Sequence, residues 1–333
     1  MSSTSENPLV SICIPVYNAE KTIERTIESI INQTHKNIEI LVVDNQSTDT
    51  TLERVRKYDD PRIRIIENPV HFKCAEYNWN TCFTHTLGEF IALFHADDVY
   101  SPEIVARQLD IFKKFPFVVG VFTDGNIIDE NDKVIDTFRI PPEIAGDTPY
   151  EYRELLHVFL ERGDFLLCPS AMIRDNTYRN LEPFRYDQFG SASDFDMWLR
   201  VARIGPIVII NKKLINYRIS EIQGTSVINS TRTHEADFFK VMDFHIAEAR
   251  SCIDISSDTL GRYELRRMED QIFCIINYAK DRDFSGLYKH VGNMTMGKYT
   301  WIILTKPRIA LPVLIRGFFK MMNTLKGTRN KCS

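Results

Sequence analysis

Two adjacent carboxylates, Asp97 and Asp98, close an apolar run in residues 88–102 (GEFIALFHADDVYSP), with His95 just ahead of them. Side by side, such acids repel each other unless a positive charge sits between them and a substrate. A hard divalent cation, Mn2+ or Mg2+, bridging to phosphate oxygens is the economical solution. Phe90, Ile91, Leu93 and Phe94 read as a buried strand delivering the pair to its C-terminal end, where open α/β sheets bind ligands. A helix is expected to open on Ser101 and Pro102, a capping residue followed by proline at the first helical position. A solvated loop before a helix also explains a bare Asp-Asp, so the neighbouring strand ends must decide.

Those ends carry residues of a matching kind. Residues 9–16 (LVSICIPV) form a β-rich apolar run leading into Pro15, Tyr17 and Asn18. Residues 37–44 (NIEILVVD) form a second run ending on Asp44, with Asn45, Ser47, Thr48 and Asp49 opening the next helix. Residues 62–66 read as a third strand, and a helix over about 74–87 leads into the strand of the acid pair. Strand and helix alternate at short spacing, which predicts βαβ units and a mostly parallel sheet flanked by helices. An aromatic ring, amides and acids at neighbouring strand ends suit a nucleotide base, a ribose and a metal-bound diphosphate. Taken singly, Tyr17 fits packing and Asp44 fits helix capping equally well. Neither GxGxxG after the first strand nor GxxxxGK[ST] occurs, so a dinucleotide Rossmann site and a P-loop are both disfavoured.

Further along, residues 117–138 read as strand, turn, strand, with the turn at 129–132; Asp124 and Asn126 fit an edge strand or an acceptor-facing position. Residues 141–150 form a loop, and 165–173 another strand. In SASDFDMWLRVARIG, Ser191 or Ser193 caps a helix with Asp194 in its first turn. The unsatisfied amides of a helix N-terminus favour an ionised carboxylate, the state a general base requires. A plain capping role for Asp194 fits the segment taken alone. Asp196 stands four residues before Arg200, the spacing of a helical ion pair.

The stretches VSICIPVYNAEKTIERTIESIINQT, IEILVVDNQSTDTT and GEFIALFHADDVYSP together resemble the family 2 glycosyltransferases, in type, order and spacing, over about residues 10–217. That resemblance implies a GT-A fold in which Pro15, Tyr17, Asn18, Glu20, Asp44, Asn45 and Asn78 surround the nucleotide. Asp97 then contacts ribose and metal, Asp98 is the first-choice metal ligand, and Asp194 is the catalytic base. It implies an inverting, metal-dependent enzyme moving one sugar from a nucleoside-diphosphate sugar, UDP favoured, to a hydroxyl of a glycan or lipid-linked saccharide. The QxxRW signature of processive synthases is absent. Three positions depart from the common pattern: His95 and Asn45 stand where many members carry acids, and Ser220 where they carry histidine. Asn78-Trp79-Asn80 replaces Ala-Arg-Asn and resembles a branch that pairs it with His-x-Asp-Asp. A catalytically silent nucleotide-sugar-binding protein and a nucleotidyltransferase are the competing readings. The latter usually needs a Gly-rich, Lys/Arg-bearing loop after the first strand.

Composition sets the frame. A chain of 333 residues holds a domain at 1–220, with a nucleotide-sugar half to about 100 and an acceptor half beyond it, plus a helical region at 221–333. The net charge of −4 excludes a nucleic-acid binder by bulk electrostatics. Seven scattered cysteines without CxxC spacing look like reduced cytosolic thiols. No signal-peptide pattern and no 18-residue apolar window is found. After Asp283 every charged side chain is Lys or Arg, and residues 301–331 mix these with aromatic and aliphatic residues. Such a segment is expected to lie against an anionic membrane surface, placing a cytoplasmic protein on the inner face of the cell membrane.

Overall fold

The computed structural model describes residues 6–219, 231–280 and 283–293. The chain divides into two compact units, residues 1–158 with 164–220, and 159–163 with 221–333. Ser220 and the basic segment 301–331 lie outside the described residues.

In the first unit the expected alternation appears as β1 (Val10–Val16), α1 (Ile23–Ile31), β2 (Ile38–Asp44), α2 (Thr51–Val55), β3 (Ile63–Glu67), α3 (Ala75–Thr84) and β4 (Phe90–Leu93). β1, β2 and β4 are almost wholly buried while the edge strand β3 is only partly so, and they pair in parallel, β2 on β1, β3 on β2 and β4 on β1. On α1, Ile23, Ile27 and Ile30 form the buried stripe. Gly88 lets β4 start close to β1: a Cβ there would lie 2.7 Å from both Leu9 O and Ser11 N.

The rest of this unit departs from a parallel pattern. It contains β5 (Val99–Tyr100), α4 (Ile104–Lys114), β6 (Gly120–Ile128), β7 (Val134–Thr137), the part of α5 (Tyr152–Arg162) up to Val158, β8 (Met172–Arg174), α6 (Asp175–Arg179), α7 (Tyr186–Phe189), α8 (Ser193–Ile204) and β9 (Ile207–Arg218). Among the described residues the sheet order is β3-β2-β1-β4-β8-β6-β9-β5, with β7 on β6. Here β4–β8, β6–β8, β6–β7 and β5–β9 are antiparallel, and β6–β9 is parallel. Several expectations change. The helix expected at Ser101 and Pro102 begins at Ile104, because Val99 and Tyr100 first pair with β9 as a short strand. Strand β6 is interior, so Asp124 and Asn126 are not edge residues; Asn126 Nδ2 donates to Asn216 Oδ1 at 2.9 Å. The strand expected at 165–173 shrinks to three residues, since a 3-10 turn at Cys168–Ser170 takes its middle. Helix α8 is capped by neither serine; its N-cap is Ala192.

The second unit contains α9 (Asp237–Ala249), α10 (Ser257–Lys280) and α11 (Phe284–Asn293). Arg232 pairs with Asp270 at 2.5 Å within it. No helix among the described residues is long and apolar enough to cross a membrane.

One buried charge cluster secures the segment before α8. Asp196 is fully buried and is held by Arg200 Nε at 2.9 Å and Arg185 NH2 at 2.5 Å. Removing the carboxylate leaves two guanidiniums facing each other in a partly desolvated site. Asp196→Ala is therefore expected to lower unfolding stability by about 3–5 kcal/mol. A denaturant midpoint unchanged from wild type, read by tryptophan fluorescence, would show that the cluster carries no such weight.

Candidate active site

The turns after β1 and β2 are tied to each other. Asn18 adopts the left-handed region (φ 48°), which asparagine tolerates, and so aims its side chain across the gap. Its backbone N–H donates to Ser47 Oγ at 3.0 Å, and its Oδ1 accepts from Thr48 N at 2.8 Å. Glu20 accepts from Thr50 N and Thr50 Oγ1 at the start of α2, and these bonds hold its carboxyl below the usual range. Both oxygens of Asp44, 2% exposed, accept from Ser47 N. Asn45 donates to Phe72 O and accepts from Phe72 N, which closes the loop after β3 over this corner. That loop presents His71, whose ring lies 4.6 Å from the exposed ring of Tyr17. Pro15 sits inside β1, opposite Val43 of β2. Asn78, 2% exposed, spends its amide on Asn68 Nδ2 and Val43 O, so it supports the β2 end from behind.

At the end of β4, one ligand atom each from His95, Asp97 and Asp98 lie within 4.8 Å of one another. Asp98 is completely buried. Its Oδ1 accepts from Arg218 N at 2.8 Å, while its Oδ2 is without a hydrogen-bond partner. Burial and the neighbouring Asp97 push the Asp98 carboxyl upward, and Arg218 opposes them. An orphaned carboxylate oxygen beside a second acid and an imidazole is a donor set that fits a divalent cation. His95 is half-buried; its ring stacks on Trp79 at 5.5 Å and 26°, and burial lowers it, which keeps it neutral.

Cys168 links this cluster to the first turn of α8. Its Sγ lies 3.9 Å from His95 Nε2, and its thiol lies close enough to the Asp194 carboxyl to lower it. Asp194 is half-buried and accepts from Phe195 N at 2.7 Å. The sequence argument expected the helix terminus to dominate its ionisation. Burial instead outweighs the Phe195 and Cys168 bonds and raises the carboxyl above its ordinary value. Glu76 and Asp164 share this recess, each raised by the protein around it and then by the Asp194 charge; solvent still reaches Asp164 and screens that push.

With this geometry in place, comparison with known proteins is decisive at the level of family. The family model for glycosyl transferase family 2 matches residues 11–179. The chain belongs to glycosyl transferase family 2. It is 31% identical over 217 residues to an Escherichia coli UDP-Glc:alpha-D-GlcNAc-diphosphoundecaprenol beta-1,3-glucosyltransferase, covering 64% of this chain and 78% of that one. It is 30% identical over 238 residues to an E. coli chondroitin synthase, covering 71% of this chain but 32% of the larger enzyme. Among solved structures, Staphylococcus aureus TarS in complex with UDP superposes with a TM-score of 0.57 at 17% identity, over 86% of this chain and 91% of that one. Mannosyltransferase PcManGT from Pyrobaculum calidifontis superposes with a TM-score of 0.51 at 17% identity, over 96% and 88%. The protein is thus a glycosyltransferase with a GT-A fold, and the nucleotidyltransferase reading is set aside.

In this family 2 enzyme the structure also accounts for the unusual Asn-Trp-Asn segment. Asn78 supports β2, Trp79 fixes the His95 ring, and Asn80 clamps the backbone of Phe184 through its Oδ1 and Nδ2. Sequence reasoning missed His71, Cys168 and Asp164, which come from loops and turns without periodicity, and Glu76, in the first turn of α3. Arg218 was likewise given no task. Because the Cys168 bond lowers Asp194 while burial raises it, the signs are separable. In 13C NMR titrations assigned with Asp194→Asn, Asp194 should titrate above the ordinary aspartate value of about 3.9, and higher still in Cys168→Ala. A lower value in the alanine variant would remove the thiol from its hydrogen-bonding role.

Proposed function

We propose that this glycosyltransferase is an inverting, metal-dependent enzyme that moves one sugar from a nucleoside-diphosphate sugar to a hydroxyl of a glycan or lipid-linked saccharide. The observation that carries the reading is the short path from His95 through Cys168 to Asp194, which sets the acid pair and a basic carboxylate on one recess. Transfer needs both groups in one place, since the reacting carbon lies between leaving group and acceptor.

In this mechanism Tyr17, Asn18, Asp44 and Asn45 frame the nucleoside, with Pro15, Glu20 and Asn78 shaping and supporting the frame. Asp97 meets the ribose and, with Asp98, holds Mn2+ or Mg2+. That cation supplies charge neutralisation at the departing diphosphate, typically several kcal/mol. Asp194 takes the proton of the acceptor hydroxyl, whose oxygen attacks the anomeric carbon from the face opposite the diphosphate. A base raised by burial grips that proton more strongly than an exposed aspartate does. UDP is favoured as the nucleotide: the glucosyltransferase relative carries UDP-Glc in its name, and the TarS structures hold UDP or UDP-GlcNAc. The PcManGT complex, with GDP-Man and Mn2+, keeps guanine nucleotides within the test.

For the acceptor, the same relative acts on a diphosphoundecaprenol-linked sugar, which suits a protein working at a membrane. The acid-free C-terminal sequence, with Lys298, Lys306, Arg308, Arg316 and Lys320, supports peripheral attachment to an anionic inner leaflet. Each such residue is worth about 1 kcal/mol near that surface.

Asp194→Asn should keep donor binding but lose about 10²–10⁴-fold in transfer rate. Wild-type kcat should fall on the acid side as Asp194 protonates, at a pH above the ordinary aspartate range. Near-full turnover in the asparagine variant overturns the assignment of the base. Hydrolysis-free, transfer-free binding of every donor across a broad acceptor panel would instead return the silent-binder reading. Changing the five C-terminal cations to glutamate should abolish co-sedimentation with phosphatidylglycerol vesicles, and unchanged sedimentation refutes the attachment.

A further inference from the structure

His95 is held as firmly as any residue in the site. Its ring lies almost parallel to Trp79, 5.5 Å away, on a tryptophan that is itself 8% exposed. Its backbone N–H donates to Tyr100 Oη at 2.7 Å, and Tyr100 is stacked on Phe94 at 3.7 Å. One ring nitrogen, Nε2, has the Cys168 sulfur 3.9 Å away. Histidines that bind metals through one nitrogen are usually oriented by a neighbour at the other. The ligand-capable atoms of His95, Asp97 and Asp98 lie within 4.8 Å of one another, and the buried Asp98 Oδ2 has no partner of its own.

We propose that His95 is the third protein ligand of the cation held by Asp97 and Asp98, and that it biases the site toward Mn2+ over Mg2+. This rests on reading the acid pair as the metal site. The bias follows from the donor set. Mg2+ demands small, near-ideal octahedral oxygen coordination and gives up its water reluctantly. Imidazole nitrogen suits the later first-row ions, and Mn2+ accepts both oxygen and nitrogen donors. Replacing a carboxylate by a neutral imidazole also removes one negative charge from the site, which weakens the purely electrostatic hold on which Mg2+ depends. Trp79 and Cys168 are positioning residues in this scheme: one fixes the plane of the ring, the other its rotation.

The test is electron spin-echo spectroscopy of the full-length protein with Mn2+ and UDP, which reads nuclei coupled to the bound ion without any turnover. The expected spectrum shows 14N modulation from imidazole alongside 31P modulation from the diphosphate. In His95→Asn the nitrogen signal should vanish while the phosphorus signal stays. Mn2+ affinity there should weaken by about ten- to a hundredfold, no less than the loss of an outer-shell partner costs at such sites. His95→Asp should lower the ratio of Mn2+ to Mg2+ affinity. Phosphorus modulation without nitrogen in the wild type, with Mn2+ binding abolished by Asp98→Asn, overturns the histidine ligand and leaves the acid pair as the metal site. Failure of the wild type to bind Mn2+ at all overturns both.

Discussion

The site at the end of β4 depends on seating the Asp98 carboxyl where water does not reach it, although burial and Asp97 both push it upward. Arg218, 3% exposed, makes this possible in two ways. Its backbone N–H donates to Asp98 Oδ1, and its guanidinium bonds Asp97 O, Asp129 O and the Asp132 carboxylate. A carboxylate buried without such a cation costs several kcal/mol. The register of β5 on β9, Val99 opposite Asn216 and Tyr100 opposite Ile215, brings Arg218 level with the acid pair. The two-residue strand β5 therefore exists for a reason that local propensity does not contain: it aligns a cation from residue 218 with carboxylates at 97 and 98. The same guanidinium fixes the β6–β7 turn, where Asp132 also pairs with Arg25 of α1.

A second constraint sets Asp194 against this cluster. Trp79 and Phe83 of α3, Phe184 ahead of α7, and Trp198 of α8 form a continuous run of edge-to-face and tilted aromatic contacts, with centroids 5.2 to 5.8 Å apart. Offset aromatic pairs prefer such angles, each worth about 0.5–1.5 kcal/mol beyond the area buried. The run spans from the His95 stack to the helix that bears Asp194. The Asp196 cluster locks the segment 182–185 beside it, because Arg200 also donates to Glu182 O and Pro183 O. Asp194 is thereby braced on two sides, the support that its proposed role as general base would need if its oxygen is to stay within reach of a hydroxyl.

These facts explain how much the sequence could reveal. The four parallel strands were legible because each is short, apolar on both faces and punctuated by polar residues at its C-terminal end. The acid pair, Asp44 and Asp194 were legible as candidates because strand ends and helix starts are where such chemistry sits. The mixed half of the sheet was less readable. Strand β9 carries Asn211, Lys212 and Lys213 in its exposed middle, so its pattern breaks, and β5 is too short to show any period. The role of Asn-Trp-Asn was hidden because each residue works on a partner far along the chain: Val43, His95 and Phe184. Likewise, desolvation of Asp194 depends on everything packed around it, whereas the helix terminus that favours its charge is a local feature. The local feature was visible and the larger effect was not.

The distribution of charge in the recess carries one further consequence. Asp97, Asp98, Glu76, Asp164 and Asp194 all face or border it; burial raises Glu76, Asp98 and Asp164, and repulsion from a neighbouring acid adds to it. A nucleoside diphosphate adds more negative charge to the same space. Coulomb energies there exceed those in water several-fold, since the effective dielectric near a protein surface is closer to about 20 than 80. On the proposed reading, donor and cation would thus favour each other's binding, because each would relieve a repulsion that the other alone leaves in place. The raised carboxyl of Asp194 has another origin, since burial lifts it and not the charge of a neighbouring acid. On the proposed reading, the acids that would tie donor binding to a cation are thus separate from the desolvation that would strengthen the base.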